Sequence, residues 1–284
     1  MVVDVTAIER FRRDGFVVVD ALLTDDELDH YEPLVTEAVA HRKRDVPPLA
    51  ERSPYAQSFH QCINLWEDYP AIRPLTFHPR VGQVAAELLG VDAVRLWHDQ
   101  ALYKEAGGRQ TDPHQDHGYW PIRETATVTA WIPFQGSTLA SGAMGYLPGS
   151  HLIGVRKFVN IFQGEDASVL MDLPEVHAID PVFVEVPKGS VAFHHGLTVH
   201  MAKANVTDHD RAVHTVILLA DGCTRRNNAW HLTVDRDGIE VGAPIAGPCS
   251  PIVWPRPDGE LPPPPPPVPE SIRSIAGAGI LPEN

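Results

Sequence analysis

The stretch TDPHQDHGYWPI, residues 111–122, decides how the rest of the chain is read. It sets an imidazole, His114, and a carboxylate, Asp116, two residues apart. In an extended strand such residues point to the same face, so the pair is expected side by side. Two ligands hold a redox metal poorly, and a third should come from a neighbouring strand. The best candidate is His200, which closes the β-rich run SVAFHHGLTVH (190–200). Two imidazoles and one carboxylate on a facial triangle leave three positions open, the arrangement of non-haem Fe(II) oxygenases. Zinc hydrolases use similar ligands, so the triad alone leaves the metal open.

Other histidines near the motif are set apart by parity. His117 is out of phase with His114 and Asp116, and is expected to face away from the metal or toward the substrate mouth. His195 is out of phase with His200. His194 is in phase, but six residues of unbroken strand place it about 20 Å away at about 3.3 Å per residue. Tyr119 and Trp120 follow the motif closely and are candidates for the substrate pocket, with simple packing as the alternative.

The surrounding chain alternates between two textures. Before residue 91 it reads as helices around one strand: a short helix over 6–14 ending near Gly15, the apolar, β-branched FVVVDALL, and a helix over DDELDHYEPLVTEAVAHRKR. Thr24 looks like the N-cap of that second helix, with acids in its first turn and bases in its last. A further helical pattern covers 78–90 and stops at Gly90. From residue 91, short β-rich runs recur between Gly, Pro and Asp: 93–104, 126–134, 142–149, 182–187, 190–200 and 212–220. Helices followed by many short strands fit an α+β chain, mainly β, built around a sandwich or barrel. The tail PRPDGELPPPPPPVPE (255–270) should be polyproline II lying on the domain surface.

Composition narrows the partners. The 284 residues carry 23 basic and 37 acidic side chains, a net charge of −14 that argues against nucleic acid or an anionic membrane as the main partner. Cys62, Cys223 and Cys249 fall in no disulfide or zinc spacing. A reducing, cytoplasmic setting is the plain expectation. There is no secretory leader pattern and no apolar run of membrane-spanning length.

Arg211 sharpens the chemistry. It opens the run RAVHTVILLA after a ten-residue connection from His200. If the two runs are antiparallel neighbours, Arg211 stands beside the strand bearing the last ligand. Its planar fork binds carboxylates bidentately. An oxygenase that chelates 2-oxoglutarate through its keto-acid end needs such a cation for the distal carboxylate, whereas a zinc hydrolase does not.

Together, HxD at 114–116, His200 and Arg211 resemble the phytanoyl-CoA dioxygenase family. FRRDGFVVVDALLTDDEL (11–28), SGAMGYLPGSH (141–151) and the run ending at His200 are similar to three further family segments. The resemblance runs from about residue 8 to 222. It implies a double-stranded β-helix (jelly-roll) with N-terminal flanking helices, carrying Fe(II) and using 2-oxoglutarate and O2. It assigns His114, Asp116 and His200 to iron and Arg211 to the distal carboxylate. Gln100 and Trp131 match co-substrate positions on the flanking strands, with core packing as the alternative. Lys104 shares the parity of Gln100, so both are expected to face the cavity. Two departures stand out: Ala202 replaces the hydroxyl residue common two positions after the distal histidine, and KEAGG (104–108) lacks the usual proline.

The resulting expectation is a single oxygenase domain over 1–284, with helical support (1–90), a jelly-roll core (91–222) and a C-terminal extension (223–284) forming a lid or the outer pocket wall. The activity implied is hydroxylation of a small, secondary-metabolite-like substrate. Desaturation, epoxidation or rearrangement remain open, as does an acyl-CoA substrate. Halogenation is disfavoured, because related halogenases carry a small residue where Asp116 stands. The rival classes are a divalent-metal hydrolase or isomerase on the same barrel, and a binding protein that retains only the fold.

Overall fold

The computed structural model describes residues 2–43, 45–155, 160–161, 165–256 and 259–268. Helix α1 (Val5–Asp14) is capped by Asp4 and stopped by Gly15 in the left-handed region. Strand β1 (Phe16–Val19) follows, shorter than FVVVDALL suggests because Ala21 turns to positive φ. Helix α2 (Asp25–Arg42) starts at a capping box in which Thr24 and Glu27 satisfy each other's backbone N–H groups. It ends at Arg42, and Arg44 lies outside the described residues. Strand β2 (His60–Ile63), short helices α3 (Leu65–Asp68) and α4 (Arg73–Thr76), and helix α5 (Pro79–Leu89) complete the N-terminal support.

Nine strands then form most of two facing sheets: β3 (Val94–Lys104), β4 (Thr111–His114), β5 (Thr127–Pro133), β6 (Met144–Tyr146), β7 (Val182–Val184), β8 (Val191–His195), β9 (His200–Ala202), β10 (Arg211–Ala220) and β11 (Ile252–Trp254). The larger sheet runs β1-β8-β5-β10-β3-β11, with β2 also on β3; the smaller runs β4-β9-β6-β7. Every pairing is antiparallel. This is the two-sheet jelly-roll.

Period-two alternation decides what each face does. On β5, Val128, Ala130 and Ile132 join the core shared with α2 and α5, while Thr129 and Trp131 line the space between the sheets. On β10, Val216 and Leu218 face the helices, while Arg211 and Thr215 face inward. The helical side is closed by Val35, Ala38, Val84, Ala85 and Leu88, all buried. Each large apolar side chain there contributes about 1.5–3 kcal/mol.

The run 190–200 is two strands in different sheets. β8 ends at His195, the chain turns through Gly196, Leu197 and Thr198, and β9 begins at His200 in the opposite sheet. The turn is anchored on Gly15, whose carbonyl accepts the backbone N–H of His195 (2.8 Å) and the hydroxyl of Thr198 (2.8 Å). Gly15 has φ +82, and a Cβ there would lie 2.4 Å from Thr198 Oγ1 and 2.5 Å from His151 Nδ1. Gly15→Ala should therefore cost roughly 2 kcal/mol or more in left-handed strain and overlap. A shift in the urea midpoint without a change in m-value is the result to look for.

The C-terminal extension packs against the same face of β10 that carries Thr215, beyond the cavity. Val234 on α6 (Leu232–Arg236), with Ile239 and Ile245, covers Trp97, Trp120 and Ile217. Arg236 ties it to α3 through both oxygens of Glu67 (2.8 and 2.9 Å). The extension thus backs the pocket wall, and none of its described residues lines the cavity. Residues 261–268 form no helix or strand. Pro265 is buried there, and the Pro266 carbonyl accepts from Arg236, so the segment lies along the domain surface. Among the described residues no helix is long and apolar enough to cross a membrane.

Candidate metal centre

Strand register brings the two ligand histidines together. His114, the last residue of β4, pairs directly with His200, the first of β9. Asp116 is not on that strand: β4 ends at His114, and Asp116 opens a 3-10 turn over Asp116–Tyr119. The turn, rather than strand parity, swings the carboxylate back to the histidines. His114 Nε2 and His200 Nε2 each lie 3.6 Å from Asp116 Oδ1, and one donor atom from each residue falls within 4.8 Å of the others.

The tautomers suit a cation. His114 Nδ1 donates to the Asp112 carbonyl (2.8 Å) and His200 Nδ1 to the Thr198 carbonyl (3.0 Å). Each imidazole therefore turns an Nε2 lone pair toward the shared point, oriented from behind as metal-binding histidines usually are. Burial pulls His200 down to about 3, so it is a neutral donor. Burial works against the charged form of Asp116, but the surrounding imidazoles, His200 foremost, hold it well below the usual carboxylate range. Two imidazole nitrogens and one carboxylate oxygen fit a divalent first-row metal with open positions.

The triad opens on a cavity between the sheets. Arg211 reaches it from the opposite side. The expectation that its strand neighbours the His200 strand is wrong: β10 lies between β5 and β3 in the larger sheet, whereas β9 belongs to the smaller. Consecutive jelly-roll strands can alternate between sheets, so Arg211 faces the triad across the gap. Its Nη1 donates to the Gly142 carbonyl (2.7 Å), and its guanidinium carbon lies 5.0 Å from the centre of the Trp131 ring. Its Nε is buried without a hydrogen-bond partner among the described residues, and burial pulls the group down to about 9. A buried cation with unused donors is incomplete without an anion, and its fork matches a carboxylate.

Gln100 and Trp131 both line the cavity. Tyr55 donates to Gln61 Oε1 (2.8 Å), and Gln61 Nε2 donates to Gln100 Oε1 (2.6 Å), which leaves the Gln100 amide nitrogen as the donor at the end of the relay. Tyr119 and Trp120 line the cavity too, and the Tyr119 hydroxyl accepts the Ile161 N–H (3.1 Å). His117 does not line it: its backbone N–H holds the Gly196 carbonyl (2.8 Å) and its ring is buried beside Trp120. Lys104 does not line it either. Its strand parity is right, but it sits at the end of β3, and its ammonium turns to the Arg109 carbonyl and the Thr111 hydroxyl.

Three features escape sequence reasoning. Tyr55 and Gln61 come from a segment with no clear periodic signal. His98 reaches the cavity beside a β-bulge at Trp97, where Ile217 pairs with His98 and Leu218 with Leu96. The third is His194. The 20 Å separation is wrong, because it assumes one continuous strand: the turn at 196–198 folds His194 back, its ring centre is 4.4 Å from that of His200, and its Nε2 is 3.2 Å from Asp116 Oδ2.

Comparison with known proteins agrees with this site. A family model described as phytanoyl-CoA dioxygenase (PhyH) matches residues 11–213. A phytanoyl-CoA dioxygenase of Arabidopsis thaliana is 26% identical over 178 residues, which cover 61% of this chain and 59% of the plant protein. A phytanoyl-CoA dioxygenase domain-containing protein 1 homolog of Caenorhabditis elegans is 22% identical, covering 78% of this chain and 91% of its own. Among solved structures, the non-haem α-ketoglutarate-dependent carbocyclase SnoK from nogalamycin biosynthesis superimposes with TM-score 0.75 at 27% identity, covering 88% of this chain and 96% of SnoK. The epimerase SnoN, in complex with Fe3+, α-ketoglutarate and nogalamycin RO, gives 0.74 at 26%, covering 87% and 97%. With the His-Asp-His triad and the facing arginine in place, the chain belongs to the phytanoyl-CoA dioxygenase family of non-haem Fe(II)/2-oxoglutarate-dependent oxygenases.

Proposed function

We propose that His114, Asp116 and His200 hold Fe(II), that Arg211 binds the distal carboxylate of 2-oxoglutarate, and that the protein hydroxylates a C–H bond of a small, secondary-metabolite-like molecule. Bound iron supplies the redox chemistry that couples oxidation of 2-oxoglutarate to succinate and CO2 with insertion of one oxygen atom of O2 into the substrate. The chain's own side chains do the rest. Arg211, stacked on Trp131, fixes one end of the co-substrate. The Gln100 amide is aimed as a donor by Tyr55 and Gln61. Thr111 pairs with Ala202 across β4 and β9 and lines the same wall, so its hydroxyl stands in for the one that Ala202 lacks.

The observation that carries this reading is the buried, half-satisfied Arg211 facing the triad, for which a hydrolase or isomerase has no use. For the substrate, Arg211 is the only lysine or arginine among the described lining residues, whereas Phe59, Tyr119, Trp120 and Ile161 offer aromatic and apolar surface. That favours a largely uncharged molecule over an acyl-CoA with its phosphates. The origin of SnoK and SnoN in nogalamycin biosynthesis supports a natural-product substrate.

Purified protein given Fe(II), 2-oxoglutarate and air should release succinate, and Zn(II) in place of iron should give none. Turnover with Zn(II) in the absence of O2 would instead establish the hydrolase class. Once a substrate is found, product mass separates the outcomes: hydroxylation adds one oxygen, ring closure or desaturation removes two hydrogens, and epimerisation leaves the mass unchanged.

A further inference from the structure

We propose that His194 is a positioning residue for the metal centre, resting on the reading of His114, Asp116 and His200 as iron ligands. Its Nε2–H holds the outer oxygen of Asp116 so that the carboxylate offers Oδ1 alone to the metal.

The geometry is that of a two-pronged clamp. His194 on β8 and Thr129 on β5 are directly paired in register, so their inward side chains stand next to each other. Both reach the same atom: Thr129 Oγ1 donates to Asp116 Oδ2 at 3.1 Å, and His194 Nε2 does so at 3.2 Å. Oδ1 is left facing the two ligand imidazoles. Asp116 needs such support, because it opens a 3-10 turn and has no strand ladder to set its side chain. An unrestrained carboxylate can rotate to bind through both oxygens. That would occupy a fourth metal position and leave two where three are required.

His194 is almost fully buried, and its Nδ1 finds no partner among the described residues. A buried ring nitrogen without a hydrogen bond is a cost. An apolar ring would avoid that cost, so the hydrogen bond through the other nitrogen is what the imidazole contributes. The ring also packs 4.4 Å from His200, with Tyr146 behind it at 5.5 Å. The donor and the packing surface are therefore separable by substitution.

The test is equilibrium titration of the full-length apoprotein with Co(II), followed by its ligand-field absorption. His194→Phe keeps a ring and loses the donor; His194→Gln keeps a donor and loses the ring. We expect His194→Phe to weaken Co(II) binding about 10- to 100-fold and to change the spectrum. Its metal-free melting temperature should be unchanged or higher, and His194→Gln should recover most of the affinity. Wild-type affinity in His194→Phe, or equal weakness in His194→Gln, would overturn the proposal. Should His194→Phe not fold, Thr129→Val removes the other donor to the same oxygen, and wild-type Co(II) affinity there would overturn it as well. A wild-type protein that binds no Co(II) would instead remove the triad assignment itself.

Discussion

Asp116→Ala is expected to lose succinate formation altogether, a fall of at least about a thousand-fold at saturating iron and 2-oxoglutarate. Asp116 is the only anion in the triad, and its Oδ1 lies 3.6 Å from both ligand nitrogens. Removing it leaves two imidazoles and no anionic ligand, so the metal is held more weakly and its coordination is altered. The substitution also strands the two donors that meet on Oδ2, His194 and Thr129. Leaving buried donors unpaired costs about 1–3 kcal/mol, so a modest loss of stability should accompany the loss of activity. Circular dichroism separates the two: a folded, inactive variant supports the ligand role. Wild-type turnover would remove Asp116 from the centre.

Arg211→Ala should leave the metal in place and raise the apparent KM for 2-oxoglutarate by about 100-fold, the worth of a bidentate charge-assisted pair. The distal carboxylate is remote from the reacting end of the co-substrate, so Arg211 contributes binding that is equal in the ground and transition states. At saturating 2-oxoglutarate kcat should therefore fall far less than kcat/KM. Arg211→Lys should recover only part of the loss, because a point charge lacks the planar fork and the stack on Trp131. The metal-free variant should melt no lower than wild type, since the guanidinium is buried there with Nε unsatisfied among the described residues. Unchanged KM would overturn the assignment.

What was legible in the sequence was chemistry more than geometry. Few residue types bind iron or a distal carboxylate, so His114, Asp116, His200 and Arg211 stood out by type and spacing. The route by which they meet was not legible. Parity treated 114–116 as strand, although a turn delivers Asp116. It made neighbours of the His200 and Arg211 runs, although they lie in opposite sheets. His194 was lost for the same reason: rise per residue holds only while the strand continues. The break is marked by Gly196, where a Cβ would lie 2.2 Å from Thr127 Oγ1. Lys104 shows the converse, where correct parity put the side chain on the inner face but a nearby carbonyl drew its charge away from the cavity. The three longer helices are legible because their boundaries are local: Thr24, Gly15 and Gly90 cap where their residue types lead one to expect, whereas the short helices over 65–68, 73–76 and 232–236 carry no such signal.

The contact of Gly15 with the turn before His200 also bears on the order in which the protein matures. Phe16 pairs with His194, and Gly15 accepts from His195 and from Thr198, 183 residues further along the chain. Such distant pairings form late, because their loop entropy must be met before they stabilise anything. The metal site is therefore complete only after these distant pairings have closed the larger sheet. Disruption of Gly15 and β1 should accordingly be felt as poor metal retention, although neither belongs to the triad.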